Sequence, residues 1–467
     1  MKLSNNTVLF KHPNIYIDKV AFDPADGKNQ NLPFFIYTSH SGILVCDHRV
    51  VDIVNMCNGS NTFLEIANGI EAEYSEIQTT IEYLAKKGVI SIDSPIVPHT
   101  KFSDALSATS PDTYGFWIHV TNNCNLKCKY CYIDKSSSVM RASKMDAILN
   151  AIISSAKLHN AKKLIIKISG GEPLTNIDSV EHLVAYVSDK CQGDNALSLH
   201  FELLTNGTIV SEPILSFIKR NNISVSISLD SAIESNNEAR VFADGKGSTE
   251  LVKRNIDTYI ANGISPRIMV TISNNNISQL PALTEYLIKK HLRFRFSLEK
   301  DCSLPVPPVV ENSSQLLDSL NTCFSIMNNA LLNGDFSWQF KFNNIRFGIS
   351  RERSCSAGTH FFAVGANGEF ASCGMGLALN NHSVSYDGDL IGKLQNHYLT
   401  LFNTNAVCQK CNWLSCCAND CPLQSQMNAS GNGTSPFCDI IQQIIPHLLR
   451  LDALRIFMRC NGKKRGI

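Results

Sequence analysis

The stretch Phe116-Trp-Ile-His-Val-Thr121, followed at once by Cys124-Asn-Leu-Lys-Cys128-Lys-Tyr-Cys131, decides how the chain is read. An apolar strand runs into a loop that carries three thiols in eight residues. A helical stretch, Lys144 to His159, follows, and then a second apolar run, Leu164 to Ser169, ends in Gly170-Gly171-Glu172-Pro173. Strand, helix, strand at this spacing is a βα unit of a parallel sheet, and chemistry on such sheets sits where strands end.

Working outward, the unit repeats. Strand-like runs recur at Leu199 to Thr205, Ser224 to Leu229, Arg267 to Ile272 and Phe294 to Leu298. Helical stretches lie between them at Asp178 to Lys190, Glu212 to Lys219, Thr249 to Asn262 and Gln279 to His291. Six strands alternating with helices predict an α/β fold, a parallel sheet curled into a partial (β/α)6 TIM-like barrel over residues 114–300.

Three thiolates on one loop can hold three irons of a [4Fe–4S] cluster and leave the fourth open. A zinc ion ordinarily takes four ligands, in paired units, so zinc and plain buried cysteines are the competing readings. The triplet C-x3-C-x2-C with Tyr130 before its last cysteine resembles the defining motif of the radical S-adenosylmethionine (SAM) enzymes. The resemblance implies that the open iron chelates SAM and that an external electron donor drives its cleavage to a 5′-deoxyadenosyl radical. The family's GGEP motif matches Gly170, Gly171, Glu172 and Pro173, with glycines letting backbone approach the ligand and the carboxylate receiving the SAM ammonium. Asn206 and Ser228, at the next strand ends, and Arg240 fall where similar enzymes hold SAM. Ser231 stands in place of the usual Gly, and the His-Asp that usually precedes the Arg is absent.

Seventeen cysteines in 467 residues are many for a chain whose N-terminus lacks a signal-peptide pattern. In a reducing cytoplasm, the expected location, they read as metal ligands before disulfides. Cys355, Cys373, Cys408, Cys411, Cys417, Cys421 and Cys438 resemble the SPASM domain of radical SAM peptide-modifying enzymes, which carries one or two auxiliary [4Fe–4S] clusters. The resemblance assigns Cys408, Cys411, Cys417 and Cys438 to one cluster. It assigns Cys355, Cys373 and Cys421 to another, one thiolate short. Metal rather than core is expected to organise residues 351–440. Cys416 reads as spare, and Cys46, Cys57, Cys191, Cys302, Cys323 and Cys460 as packing residues.

Residues 1–93 read as short strands (Tyr16 to Phe22, Phe34 to Thr38, Ile43 to Cys46), three helices and a closing strand, Val89 to Ile92. This is the pattern of a winged helix-turn-helix. The helix from Arg49 to Cys57 is expected to stop at Asn58-Gly59. Capping boxes are expected at Thr62/Glu65 and Ser75/Gln78. The pattern is similar to the small peptide-binding protein of pyrroloquinoline quinone biosynthesis, a RiPP recognition element, which implies binding of a precursor's leader by strand addition. Glu65, Glu71, Glu73, Glu76 and Glu82 repel phosphate, so nucleic acid is not an expected partner. A Pro/Ser/Thr-rich linker spans 94–113, a bridging region with a helix near Leu316 to Leu332 spans 301–350, and a helix and solvated tail close the chain at 441–467. No run reaches the roughly 18–20 apolar residues of a membrane helix.

Together these features imply a maturase that crosslinks side chains of a ribosomally made peptide through C–C, C–S or C–O bonds. A sulfatase-type maturase forming formylglycine shares the cofactors. A non-catalytic winged-helix iron–sulfur regulator is the rival of another class. No residue identifies itself as a general base.

Overall fold

The computed structural model describes residues 3–20, 33–39, 41–96, 112–193, 196–233, 239–300, 312–348, 354–379, 382–398, 406–428, 431 and 433–464. Cys302 and most of the 94–113 linker lie outside them.

The N-terminal unit runs β1 (Val8–Lys11), β2 (Tyr16–Lys19), β3 (Phe34–Thr38), β4 (Gly42–Cys46), α1 (His48–Met56), β5 (Asn58–Thr62), α2 (Phe63–Gly69), α3 (Tyr74–Lys86) and β6 (Ile90–Ile92). Two small antiparallel sheets form, β5-β1-β6 and β2-β3-β4. Asn58-Gly59 therefore does more than end a helix: it opens β5, which pairs with β1. The Thr62/Glu65 capping box is present, whereas α3 starts at Glu73 with no side-chain cap, so Ser75 and Gln78 form no box.

Strand alternation makes β3 a wall between two cores. Ile36 faces the N-terminal helices, packing with Ile53, Phe63 and Ile81. Its neighbours Phe35 and Tyr37 face the other way, into the main core. Burying two such aromatics contributes about 2–3 kcal/mol each. The same face carries Tyr16 against Trp413 (5.3 Å between ring centres) and Asp18 in a forked ion pair with Arg450. The unit is docked on the C-terminal region, not merely tethered to it.

The main sheet begins with β7 (Thr113–Thr121), α4 (Ala142–Leu158), β8 (Lys163–Gly170), α5 (Ile177–Lys190), β9 (Ser198–Thr205) and α6 (Glu212–Arg220). It continues with β10 (Ser224–Ser228), α7 (Thr249–Ala261), β11 (Arg267–Ile272), α8 (Leu280–Lys289) and β12 (Arg293–Leu298). These six strands are parallel neighbours in chain order, each bridged by a helix. The expected six-stranded sheet is extended at both edges. After α9 (Ser313–Leu332), β13 (Gln339–Phe342) adds parallel to β12. From the cysteine-rich segment, β14 (Phe361–Val364) adds parallel to β7, and β15 (Phe370–Ala371) pairs antiparallel to β14. Metal is thus not the sole organiser of 351–440, because Phe362, Val364 and Phe370 are fully buried in the sheet's own core.

The remaining helices are α10 (Gly376–Leu379), α11 (Leu390–Tyr398), α12 (Ala406–Gln409), α13 (Leu414–Cys417), α14 (Pro422–Met427) and α15 (Cys438–Lys464). Helix α15 packs on α9, β3 and β4, and its Arg455 guanidinium sits 4.4 Å above the buried Trp338 ring just before β13. Its last turns include Lys463 and Lys464, so the basic residues there are not a separate tail. Cys57, Cys191 and Cys323 are buried packing residues and Cys46 is half-buried; Cys460 is exposed and does not pack. No helix among the described residues is long and apolar enough to cross a membrane.

Candidate active site and cysteine centres

Cys124, Cys128 and Cys131 lie just beyond the C-terminal end of β7, and backbone pins their loop on two sides. Lys127 N–H donates to Val241 O at 2.7 Å and Lys129 N–H to Ala239 O at 2.9 Å, tying the loop to the segment before α7. Gly171 N–H donates to Thr121 O and Glu172 N–H to Asn123 O, both at 2.8 Å. The two glycines are needed for that approach. A Cβ on Gly170 (φ +149°) would stand 2.2 Å from Thr121 O, and one on Gly171 2.2 Å from Asn123 O. Their smallness first serves strand-to-loop packing.

Glu172 is fully buried, and its carboxylate is engaged within the protein. Oε1 accepts from Thr205 Oγ1 (2.8 Å) and Leu174 N–H (3.1 Å), and Oε2 from Asn206 N–H (2.6 Å). Burial pushes its pKa up and these donors pull it down. These bonds let Glu172 brace β8 against β9. Pro173 opens the turn after it and is buried. Asn206 links onward, donating to Asn125 Oδ1 at 2.8 Å and lying 3.9 Å from Cys124 Sγ.

Tyr130 reaches into the next strand end, where its hydroxyl donates to Asp230 and accepts from Arg240 Nη1 (2.6 Å). Arg240 lies 3.9 Å from Asp230. Burial alone would disfavour the Arg240 charge; Tyr130, Cys128 and Asp230 more than offset this, and its pKa rises above the ordinary value. Asp230, which from sequence alone looks like part of a turn, is the hub: its Oδ1 also accepts from Thr271 N–H at 2.8 Å. The Leu229-Asp230 pair ending a strand is the signal that could have found it. Ser228, Asp230 and Arg240 line a cleft of about 330 Å³ with Asn276 and Gln279, and Arg240 Nε has no acceptor among the described residues.

The C-terminal cysteines separate into two places. Cys408, Cys411, Cys417 and Cys438 line one cavity of about 440 Å³, with Trp413 and Ile441 among its apolar walls. Cys355, Cys373 and Cys421 lie near one another: burial raises the Cys355 and Cys373 thiols, Cys421 adds to both and Cys355 to Cys373, which is pushed up to about 12. Between Cys417 and Cys421 the chain runs through three left-handed residues, Ala418, Asn419 and Asp420, which turns adjacent cysteines to different sites. Cys416 is buried and its thiol meets Trp413 O. No three His, Cys, Asp or Glu side chains among the described residues converge on a single-ion position. A cubic cluster takes each thiolate on a separate iron, so dispersed thiols around a cavity are the donor set it needs.

The radical SAM superfamily model matches residues 118–287, the span from β7 into α8. An uncharacterized protein of Methanocaldococcus jannaschii is 31% identical over 207 residues, 44% of this chain and 70% of that one. The chain belongs to the radical SAM superfamily. It is an enzyme whose cofactors are SAM and iron–sulfur cluster. A cysteine-type anaerobic sulfatase-maturating enzyme of Clostridium novyi is 24% identical over 347 residues, 68% of this chain and 90% of that one. Among solved structures, native anSMEcpe with bound AdoMet and Cp18Cys peptide aligns with TM-score 0.62 at 19% identity, over 74% of this chain and 99% of that one. Streptococcus suis SuiB bound to S-adenosylmethionine aligns with TM-score 0.50 at 14% identity, over 93% of this chain and 98% of that one. Both structures share the fold with this radical SAM enzyme.

Proposed function

We propose that this radical SAM enzyme matures a ribosomally made precursor peptide, closing a side-chain crosslink. Cys124, Cys128 and Cys131 would hold the SAM-binding cluster, with Tyr130, Glu172, Pro173, Asn206, Ser228, Arg240 and the Gly170-Gly171 backbone shaping the SAM site. When bound, the reduced cluster and SAM supply a 5′-deoxyadenosyl radical able to take hydrogen from an unactivated carbon. Arg240, charged and with Nε unpaired among the described residues, suits the SAM carboxylate. Cys408, Cys411, Cys417 and Cys438 would hold one auxiliary cluster, and Cys355, Cys373 and Cys421 a second.

The observation that carries the peptide reading is the N-terminal unit. Strand β4 is paired on one side, with β3, and no strand among the described residues pairs with its other side. A leader peptide can extend that edge, its backbone providing affinity. The unit is docked on the cysteine-rich region, so a bound leader is held beside the enzyme and its core segment gains effective concentration. The sulfatase-maturase relatives keep formylglycine formation as the second reading.

The test co-expresses the chain with short open reading frames beside its gene and examines each peptide by mass spectrometry. A crosslink removes a pair of hydrogens; oxidation of Cys to formylglycine removes a pair of hydrogens and also exchanges sulfur for oxygen. Peptide-dependent 5′-deoxyadenosine with neither mass change would defeat both readings. Deleting residues 1–93 is a poor substitute, since it would uncover the main-core partners of Phe35 and Tyr37. A proline placed within β4, Leu44→Pro, is the better probe of leader binding.

A further inference from the structure

The strand residues that alternate with the helix-facing core make up the concave face of the sheet. Ile166, Phe201, Ile227, Ile268, Phe294 and Phe342 face the helices. On the other face, register sets Lys167 opposite Glu202, Ser226 opposite Arg267, and Arg295 opposite Lys341. Arg346 follows β13 and is close enough to act on Lys341. Five cations thus share one carboxylate. Glu202 is engaged by Lys167 (3.2 Å), Arg267 (3.1 Å) and the Ser226 hydroxyl (2.8 Å).

Arg295, Lys341 and Arg346 form no ion pair among the described residues, and Arg295 feels Asp420 and Cys355 only at longer range. Arg295 donates from Nη2 to Asn344 Oδ1 at 2.7 Å, while its buried Nε has no acceptor among those residues. The buried indole N–H of Trp117, beneath the Lys167 ammonium (5.3 Å to the ring), is unpaired there as well. Partial burial lowers the Lys341 pKa, and the repulsion of Arg346, Arg267 and Arg295 lowers it further. Asp420, the carboxylate near the Arg295 end, is already taken by Lys300 (4.0 Å), Asn343 (3.2 Å) and Ser435 (3.3 Å). Gathering like charges and an unpaired buried guanidinium proton costs free energy that an arriving anion returns.

We propose that this row is a specificity site for a carboxylate of the substrate, an Asp or Glu side chain of the peptide segment lying in the concavity. The inference rests on the peptide-maturase reading and names its substrate as acidic near the modified residue. Ser226 precedes cleft-lining Ser228 by two residues, about 7 Å of strand. A carboxylate gripped by Arg295 and Lys341 would hold the adjoining peptide residues just under the SAM cleft. Arg forks suit planar carboxylates. A nucleic acid fits less well, because Glu202 sits in the row and would repel a continuous phosphate chain.

The test measures fluorescence anisotropy of labelled probes on the anaerobically reconstituted full chain at low salt. The probes are a short Glu-rich peptide, its twin with Gln at every Glu, and a single-stranded oligonucleotide of equal charge. The Glu peptide should bind at least about tenfold more tightly than its twin, a single charge-assisted bond's worth. Lys341→Gln/Arg346→Gln, both exposed positions, should erase that preference while iron content stays at the wild-type value. Arg295→Gln should do the same. Equal binding of the twin, an unchanged preference in the double variant, or oligonucleotide binding as tight as the peptide's would each overturn the proposal. The maturation reading stands or falls separately, on product mass.

Discussion

The loop at 124–131 and the segment at 406–438, the two cysteine clusters proposed for iron, are built in opposite ways. The first is held by main-chain bonds to β7, β8 and the segment before α7, and its glycines admit no side chain. The second consists of helices of four to six residues joined by left-handed turns. Burial raises the Cys417 and Cys438 thiols above their ordinary pKa, with Asp420 adding to both. Protein scaffolds the first site in advance. At the second, on the proposed assignment, metal would deprotonate the thiols on binding and tie the short helices together.

The largest expected effect breaks this comparison at its first member. Changing Cys124, Cys128 and Cys131 together to Ala should abolish 5′-deoxyadenosine formation and remove about four irons. Because backbone holds the loop, the thermal midpoint should barely move. Residual SAM cleavage would refute the ligand assignment, and a large fall in midpoint would refute the preformed scaffold.

Iron itself sharpens the contrast. Three cubic clusters require about twelve irons per chain; a value near eight would leave the Cys355, Cys373 and Cys421 set empty. Chelation should then expose 406–438 to limited proteolysis well before the 124–131 loop. Simultaneous cleavage of both would mean that they depend on metal alike.

A smaller effect is expected at the brace beneath the first site. Glu172→Gln keeps the shape but turns one acceptor into a donor facing Thr205, Leu174 and Asn206. Leaving a buried donor unpaired costs about 1–3 kcal/mol. Denaturant melts of the apoprotein should show that loss, with SAM affinity falling as the Cys loop loosens. Unchanged stability would mean that the carboxylate is not a brace.

This brace also marks the boundary of what local sequence pattern can reveal. Strand and helix periodicity located all six βα units within a few residues, since each helix-facing residue is apolar and each strand ends in a turn. The resemblance to the SPASM domain grouped Cys408, Cys411, Cys417 and Cys438, which line one cavity. Motif resemblance attaches Glu172 to the ligand, but its bracing bonds to Thr205 and Asn206, more than thirty residues on, are visible only in the fold. Strands β1, β5, β13 and β14 are short, and their partners lie far away in sequence or in another unit, so local pattern could not announce them. The concave cationic row was hidden for the same reason: apart from Lys341 and Arg346, its members lie on different strands more than twenty residues apart.

The smallest expected effect concerns His119, next to the first site on β7 and paired in register with Ser169. It is buried, and burial lowers its pKa from 6.5 to about 4. The unfolded chain therefore takes up a proton on this ring below about pH 6.5, while the folded chain resists until about pH 4. The sign follows: the contribution to stability is whole above pH 6.5 and is lost progressively as pH falls through that window. A gap of this size between the folded and unfolded chain amounts to roughly 3 kcal/mol at the acid end. His119→Gln does not titrate, so its stability relative to wild type should improve by about that much between roughly pH 7.5 and pH 4. Urea melts of both metal-free proteins across that range give the difference directly, and the cysteine segment, lacking metal in both, cancels. A difference independent of pH would place the ring in contact with water, and would mean that the scaffold around the 124–131 loop is looser than its backbone bonds imply.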